Sequence, residues 1–575
     1  MAREIIPNFD RFTDETTRFS RIGNGSIGGK AAGLLIADSV VSRLSPASAS
    51  TPLFEIPTCT VLATDLFEDF MRENDLYRLI EGEDIDDRTI ALGFQRASLP
   101  PEWTGDIHTL AAHLRAPLAV RSSSLLEDSL RRPFAGVYGT KMIPNSDPDP
   151  NKRFQRLIEA IKFVYASTFF SAAKSYRRSL GIREDCEKMA VIVQAIFGKR
   201  REDRFYPCIS GVARSFNFYA FEPARPEEGV VNLALGLGKT IVDGGLAYTY
   251  SPAHPKAPPP FGSIDDMLHN SQNRFWAVNM GKPPAHDPIA EAEYLEHHGL
   301  GAAEEDGCLT FLASTYDGES DRLVAGIYKP GPRVLTWAPI LQDEEFPLNE
   351  RIRLLLSECE AAVGSPVEIE LAAELEADDR ILRIALLQVR PMLVSTSKTE
   401  ITDADRDLAK SLVVSNRVLG NGERSGISDI VYVRSEGFEA RHTRTIATEI
   451  SRLNTELVRA GRRYLLIGFG RWGSSDPWLG IPVQWSDISG AGAIVEAATS
   501  GMSPDFSQGS HFFHNLSSFE VSYFLVRQLE GQRIDWEWLG ALPARTETSF
   551  VRHVETKEPV TIKVDGRSGW GVVVK

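Results

Sequence analysis

The chain of 575 residues has a net charge of −15 at pH 7, with 42% hydrophobic and 25% charged residues. This composition is typical of folded globular proteins, and at roughly 100–200 residues per domain the length predicts three or four structural units. The acidic balance argues against general binding to nucleic acid or to anionic membranes. Neither a signal pattern nor an apolar run of roughly 18 residues is visible, so we expect a cytoplasmic protein that does not span a membrane.

The five cysteines are Cys59, Cys186, Cys208, Cys308 and Cys359. No two of them have C-x-x-C spacing, and their number is odd. We therefore expect free, buried thiols in a reducing compartment rather than a disulfide framework or a metal site.

Short β-branched runs alternate with helical patterns over the first 400 residues, which predicts a mixed α/β (α+β) fold. The predicted strands cover 117–121, 189–194, 208–219, 230–235, 367–371 and 381–389. The predicted helices cover 28–40, 64–73, 151–180 and 348–363. Loops are expected at 43–52 and 252–260, and the polar, acidic segment 282–308 is interpreted as an insertion or a helical cover.

The composition shifts around residues 396–410, where the chain is polar and lacks apolar periodicity. We place the main domain boundary there, which predicts a first domain over 1–400 and a smaller α/β domain over 401–575.

Glycines at 23–29 precede a helical pattern, so backbone N–H groups and a helix N-terminus could receive phosphate, with Lys30 as a point charge. An ordinary turn into a helix is the alternative. An apolar strand over 118–121 ends in Arg121 and is followed by three serines. This arginine could bind phosphate oxygens through its guanidinium, or it could form a surface ion pair.

Three further stretches carry related signals. The segment 133–142 contains Gly136 and Thr140 and is typical of a loop that closes over a triphosphate, although a hairpin turn is the alternative. Gln194 is the polar residue of a predicted buried strand and must be hydrogen-bonded there. A second glycine-rich turn follows at 234–245.

Near residue 390, Glu370, Gln388 and Arg390 occupy two predicted neighbouring strands. An acidic residue and an arginine at matched strand positions suit Mg²⁺ and phosphate.

Six motifs in this order resemble the ATP-grasp nucleotide-binding domain of the pyruvate phosphate dikinase and phosphoenolpyruvate synthase family. They are G-G-K-x-A-x-L, V-R-S-S-x-x-x-E-D, F-A-G-x-x-x-T, the V-x-V-Q strand, the G-L-G loop and L-Q-x-R-P, the last preceded by an acidic strand. The resemblance covers about residues 20–395. Two departures stand out. The acidic motif, which is D-I-E in the family, reads Glu368-Ile369-Glu370 here. Lys239 follows the G-L-G loop, at a position where the family usually has glutamate.

The resemblance implies ATP and Mg²⁺ as cofactors and assigns roles to particular residues. Lys30, Arg121 and Arg390 are implied to bind phosphate, with both arginines catalytic. Gly136 and Thr140 would cover the phosphates, and Gln194 would line the nucleotide pocket. Glu370 and Gln388 are implied to hold the metal. The family's phosphoenolpyruvate/pyruvate barrel is not expected here, so pyruvate is not implied as the substrate.

The C-terminal part lacks an intact G-G-x-x-x-H carrier motif of the family. The nearest stretch places His514 at the matching offset, with His511 as a second candidate catalytic carrier, whereas two inert core histidines are the alternative. A loop at 468–482 with three glycines, Arg471 and two tryptophans is typical of a ligand pocket or of a packed loop.

Three functions remain open at this stage. The first is an ATP- and Mg²⁺-dependent phosphotransferase that acts on an unknown small molecule or partner protein. The second is a non-catalytic ATP-binding regulatory module, and the third is one component of a split dikinase. No nucleic-acid or membrane partner is expected.

Overall fold

The computed structural model describes the chain except for residues 1–5, 12–16, 46–52, 82–84, 128–135, 180–181, 183–186, 219, 221–222, 258–262, 377–379, 395–398, 408, 437, 475–477, 499–515, 517–518, 520, 528–530 and 567. Helices and strands are mixed throughout this part, which confirms the expected α/β class.

The described helices, in chain order, are α1 (Gly28–Leu44), α2 (Thr64–Glu73), α3 (Leu76–Ile80), α4 (Asp87–Arg96), α5 (Pro101–His113), α6 (Pro150–Ser167), α7 (Ser171–Ser179), α8 (Lys239–Val242), α9 (Ile264–Asn270), α10 (Leu300–Glu305), α11 (Ala338–Leu341), α12 (Leu348–Val363), α13 (Thr443–Arg459) and α14 (Trp536–Ala541).

The described strands, in chain order, are β1 (Phe19–Ile22), β2 (Phe54–Glu55), β3 (Cys59–Leu62), β4 (Leu118–Ser124), β5 (Thr140–Ile143), β6 (Met189–Ala195), β7 (Lys199–Arg201), β8 (Arg204–Tyr206), β9 (Ile209–Arg214), β10 (Val230–Ala234), β11 (Tyr248–Tyr250), β12 (Arg274–Asn279), β13 (Leu295–Gly299), β14 (Ala313–Asp317), β15 (Arg322–Ala325), β16 (Arg333–Leu335), β17 (Val367–Glu376), β18 (Ile381–Pro391), β19 (Ser411–Ser415), β20 (Val418–Leu419), β21 (Asn421–Val433), β22 (Tyr464–Phe469), β23 (Arg471–Trp472), β24 (Gly480–Ile481), β25 (Ala491–Ala497), β26 (Ser522–Val526), β27 (Arg533–Ile534), β28 (Ala544–Glu547), β29 (Val551–Asp565) and β30 (Trp570–Val574).

Two sheets of the N-terminal part position the candidate site. The first sheet has the strand order β1-β3-β6-β4-β5, and the second has the order β11-β10-β9-β17-β18-β2. One face of the second sheet is apolar and packs in a core that includes Ile369, Val389 and residues of α12. Because side chains alternate along a strand, the opposite face receives Glu368, Glu370 and Gln388.

Helix α1 contacts both sheets, and two glycines allow the close approach. Gly28 has a φ of +76°, and a Cβ there would lie 1.7 Å from the carbonyl oxygen of Ser123 on β4. A Cβ on Gly33 would lie 2.3 Å from the carbonyl oxygen of Val389 on β18. A side chain at either position would push the helix away from its sheet, so these glycines set the distance between α1 and both sheets.

Two smaller sheets complete the N-terminal part, with the orders β13-β12-β8-β7 and β15-β14-β16. The strands of the large C-terminal sheet all lie between residues 411 and 574, in the order β20-β26-β25-β22-β21-β29-β30-β19-β27, with β28 paired to β29. Within it, β21, β22, β25 and β26 are parallel neighbours. The domain boundary near residue 400 remains a prediction.

Each of the six strands and four helices predicted in the first 400 residues corresponds to an element of the structure, with three differences. The helix expected over 151–180 is two helices, because the chain turns at residues 168–170 and inserts Phe169 beside Phe67 and Phe94. The strand expected over 208–219 ends at Arg214. The segment 282–308 includes an edge strand, β13, besides the short helix α10.

The four cysteines among the described residues are free and buried. No helix in the described ranges has the length and apolar character needed to cross a membrane.

Candidate functional site

The side chain of Arg121 links the two N-terminal sheets. Its Nη1 donates to Oε1 of Gln194 on β6 and to the carbonyl oxygen of Leu387 on β18, each at 3.3 Å. Its Nη2 donates to Oε1 of Gln388 at 2.7 Å and lies 3.4 Å from Oε2 of Glu370. The guanidinium thus crosses from the first sheet to the second, while 16% of the Arg121 side-chain surface remains exposed to solvent.

Strand register explains why these groups meet. Glu370 on β17 lies directly opposite Gln388 on β18, and Arg121 on β4 lies directly opposite Thr140 on β5. Directly opposed residues of antiparallel strands project on the same face. Each strand pair therefore presents two polar side chains together, and the structure unites residues that the sequence places more than 200 positions apart.

Arg390 lies one step further along the same strands, opposite Glu368. Its Nε donates to Oε1 of Glu368 at 2.7 Å, and Nε of Arg214 on β9 donates to Oε2 at 2.5 Å. All three side chains are buried. Two guanidiniums thus share the Glu368 carboxylate in this wall of the site, which fixes the position of both arginines.

Lys30, in the first turn of α1, is buried against β4. Its Nζ donates to Oε1 of Glu127 at 2.7 Å and to Oγ of Ser122 at 3.1 Å. The backbone N–H of Ala31 donates to Oγ of Ser123 at 3.0 Å. The serines and the acid of the Arg121 stretch thus fix the start of α1, and the phosphate-binding role of Lys30 stays a prediction.

The glycine-rich turn at 234–245 lies over the polar face of the second sheet. Ile241 of α8 packs with Val212, which is directly opposite Glu370 on the neighbouring strand. Nζ of Lys239 lies 2.9 Å from Oδ2 of Asp243. The residue that departs from the family pattern therefore projects at the same side of the sheet as the candidate metal ligands.

Glu291 approaches the site from the segment between β12 and β13. Its Oε1 accepts a hydrogen bond from the backbone N–H of Thr140 at 3.3 Å. Glu291 keeps contact with solvent, yet the surrounding protein raises the pKa of its carboxyl, a shift opposed chiefly by Lys239. Burial alone would lower the pKa of Lys239, but Asp243 and Glu291 outweigh it and raise that pKa.

A divalent cation fits the pair Glu370 and Gln388, because both side chains direct an oxygen at the same guanidinium nitrogen. Mg²⁺ commonly takes one or two protein oxygens and completes its shell with phosphate and water. Groups of three or more histidine, cysteine or acidic side chains suited to a metal are not found among the described residues. The donor set therefore suits a metal that arrives with a phosphate ligand.

Other sequence-predicted residues lie apart from this cluster or outside the described residues. Gly136 is in the left-handed region with a φ of 69°, directly after the undescribed stretch 128–135. His511 and His514 lie outside the described residues, so their roles stay predictions.

The C-terminal part reaches the nucleotide turn through one arginine. Nη1 of Arg471 donates to the carbonyl oxygen of Gly244 at 3.2 Å. The neighbouring Trp472 is buried, and its backbone N–H donates to Oε1 of Glu496 at 2.8 Å. The loop predicted as a ligand pocket is thus held rigidly at Trp472 while Arg471 projects towards the first part of the chain.

Reasoning from sequence missed Arg214 and Glu291 as members of the site. Arg214 ends β9 after a run of small and apolar residues, and Arg121 likewise follows an apolar run within β4, so this shared pattern is a signal that could have identified Arg214. Glu291 belongs to a polar, acidic segment without periodicity, so no local pattern distinguishes it from its neighbours.

The chain is similar in sequence to known proteins over a large part of its first 410 residues. The family described as "Pyruvate phosphate dikinase, AMP/ATP-binding domain" matches residues 24–410. A phosphoenolpyruvate synthase of Aeropyrum pernix is 29% identical over 160 residues, which cover 26% of this chain and 17% of that relative. The region that matches the family, residues 24–410, contains Lys30, Arg121, Glu370 and Arg390. The chain belongs to the pyruvate phosphate dikinase AMP/ATP-binding domain family.

Proposed function

We propose that the protein is a cytoplasmic ATP- and Mg²⁺-dependent phosphotransferase whose acceptor is a small molecule or a partner protein. The observation that carries this proposal is the position of Arg121, which contacts Gln194, Glu370 and Gln388 at one place between two sheets. A purely structural ion pair would need one of these partners. At this place the partly exposed guanidinium offers N–H donors for phosphate, and the oxygens of Glu370 and Gln388 beside it offer ligands for a metal.

Charge neutralisation is the main requirement for transfer of a phosphoryl group. Arg121 would orient the phosphate tail through its planar guanidinium, and Arg390 would add positive charge from the wall, where Glu368 fixes its position. Glu370 and Gln388 would hold Mg²⁺, which when bound bridges phosphate oxygens and offsets their charge. Lys30 would join them once phosphate competes with Glu127 for its ammonium group.

The acceptor side is proposed to lie in the C-terminal part, with His511 or His514 as a candidate phosphate carrier. Support comes from Arg471, which brings that part of the chain to the nucleotide turn. Two alternatives remain, a regulatory module that binds ATP without turnover and one component of a split dikinase.

Incubation with β- and γ-labelled ATP and Mg²⁺, followed by analysis of products and of protein-bound label, tests the proposal. AMP as a product supports dikinase chemistry, ADP supports a simple kinase, and tight binding without turnover supports the regulatory module. Omission of Mg²⁺ or addition of EDTA is expected to abolish turnover. Absence of any heat of association between folded protein and Mg·ATP would contradict all three.

Acid-labile label on the protein tests the carrier. We expect loss of label in His511→Ala or in His514→Ala protein. Label that persists in both variants would exclude these histidines as carriers and place the label on another residue of the chain.

A further inference from the structure

The glycine-rich turn carries lysine where the family usually has glutamate, and Glu291 lies near that lysine from a different part of the chain. The backbone segment that carries Glu291 is anchored by contacts of its neighbouring residues. Lys141 on β5 forms a buried ion pair with Glu293, and its Nζ also lies 3.4 Å from the carbonyl oxygen of Asp287. The segment 287–293 is therefore fixed beside β5.

The carboxylate of Glu291 lies beside a backbone donor of the candidate phosphate site. This carboxylate accepts from the N–H of Thr140, the residue directly opposite Arg121. The surrounding protein and Asp243 raise the pKa of this carboxyl, while Lys239, the N–H of Thr140 and Lys30 oppose the shift. The backbone N–H from which the carboxylate accepts is a donor of the kind that binds a phosphate oxygen.

Lys239 is similarly placed for an anionic ligand. Its Nζ lies 5.9 Å from the ring centre of Trp276 and 2.9 Å from Asp243, which restricts the side chain. The helix that begins at Lys239 packs through Ile241 on the face of the sheet that presents Glu370. Helix α8 thus lies on the polar face of the sheet, and the Lys239 side chain, 20% exposed, extends from it between Asp243 and the Trp276 ring.

We propose that Lys239 is a phosphate-binding residue of the nucleotide cleft and that Glu291 takes the place of a phosphate group in the nucleotide-free protein. This inference rests on the proposed binding of ATP and adds a residue-level competition to it. Binding of the phosphate tail displaces the Glu291 carboxylate from the N–H of Thr140, because two anions cannot share this donor without strong repulsion. The free energy of ATP binding is thus the free energy gained by binding the phosphate tail minus the free energy needed to release the Glu291 carboxylate.

The test is isothermal calorimetry of the full chain with Mg·ATP and, separately, with adenosine. Lys239→Met is expected to weaken ATP binding roughly tenfold or more, since hydrogen bonds to charged groups contribute at least that factor. Glu291→Gln is expected to strengthen ATP binding several-fold. Adenosine affinity should change by less than about twofold in both variants, because adenosine has no phosphate to meet either residue.

A double variant and two controls sharpen the result. Because Lys239 attracts the Glu291 carboxylate electrostatically, the gain from Glu291→Gln should differ in the Lys239→Met background, which a double-mutant cycle measures. Lys256→Met removes an exposed lysine paired with Glu344, and Glu296→Gln removes an exposed acid of β13. Both controls should leave ATP affinity within about twofold, which excludes a general effect of net charge.

Three results would overturn the inference. They are unchanged ATP affinity in Lys239→Met, weaker ATP binding in Glu291→Gln, and equal losses for ATP and adenosine. Each of these results can be obtained only if the wild-type protein binds Mg·ATP. If the wild-type protein itself does not bind Mg·ATP, the proposed function fails instead. Melting curves of all variants verify that the proteins are folded.

Discussion

At the scale of a single residue, Arg121 contacts most of the side chains of the candidate site. Its two terminal nitrogens contact side chains of three strands, and 16% of its side-chain surface stays exposed. Lysine could supply the charge but not the two-nitrogen geometry. The loss of this residue should therefore affect chemistry much more than folding.

We predict that Arg121→Ala lowers ATP turnover by at least about a hundredfold, as expected when one preorganised contact to developing charge is removed. Arg121→Lys should recover only a small part of this activity. An ATPase assay with a melting curve measures both effects, and Arg78→Ala, which alters an 83% exposed side chain, is the matched control. Wild-type turnover in folded Arg121→Ala protein would remove the proposed role.

Glu187, behind the first sheet, gives a prediction on pH. It is buried beside Tyr138, whose hydroxyl donates to it at 2.9 Å, and burial raises its pKa to about 7. The folded protein therefore binds this proton more tightly than the unfolded chain does. The resulting contribution to stability is complete below about pH 4.5 and is lost as the pH rises through about 7.

The substitution Glu187→Gln should reduce this pH dependence. We expect the variant to be more stable than the wild type at pH 8, by at most about 2–3 kcal/mol, and close to it at pH 4.5. Urea unfolding at several pH values measures the difference. Parallel stability curves for the two proteins across this range would contradict the assignment.

At the scale of elements, α1 is the component that spaces the two sheets. Its N-terminus is fixed by Ser123, whose Oγ donates to the carbonyl oxygen of Ile27 at 2.7 Å and accepts from Ala31. This arrangement requires the backbone of Gly28 to pass directly beside β4. The helix start and the strand that carries Arg121 therefore form one unit.

We predict that Gly28→Ala destabilises the protein by roughly 2–4 kcal/mol, because its Cβ would overlap Ser123 and its φ is in the left-handed region. Gly301→Ala, in α10 with nothing near its Cβ, should be neutral or slightly stabilising. Thermal unfolding measures both substitutions. Equal effects of the two would show that the close approach of α1 to β4 does not determine stability.

At the scale of the whole molecule, the C-terminal part contacts the nucleotide turn through Arg471 and Gly244. Tyr176 of α7 and Trp485 both pack against Phe519, at ring-centre distances of 5.7 and 5.4 Å. The two parts of the chain thus share contacts on more than one side. Occupancy of the cleft is expected to affect the C-terminal part through them.

We predict that Arg471→Ala increases hydrogen exchange of residues 235–245 and weakens Mg·ATP binding by about three- to tenfold, the cost of one charged hydrogen bond in a partly exposed place. Arg434→Ala is the control, because Arg434 directly follows β21 and pairs with the partly exposed Glu547. Unchanged exchange of the turn in Arg471→Ala would contradict coupling through this contact.

The sequence by itself determined the α/β class, the approximate positions of six strands and four helices in the first 400 residues and the ordered motifs of the family, because each depends on local periodicity or on residues close together in the chain. Tertiary structure decided which side chains meet. Arg121 reaches Glu370 and Gln388 only because two separate sheets face each other, and Arg214 shares Glu368 with Arg390 only through the register of β9, β17 and β18. The approach of Glu291 to Thr140 likewise depends on the anchoring of its segment by Lys141, a contact between residues about 150 positions apart that no local pattern encodes.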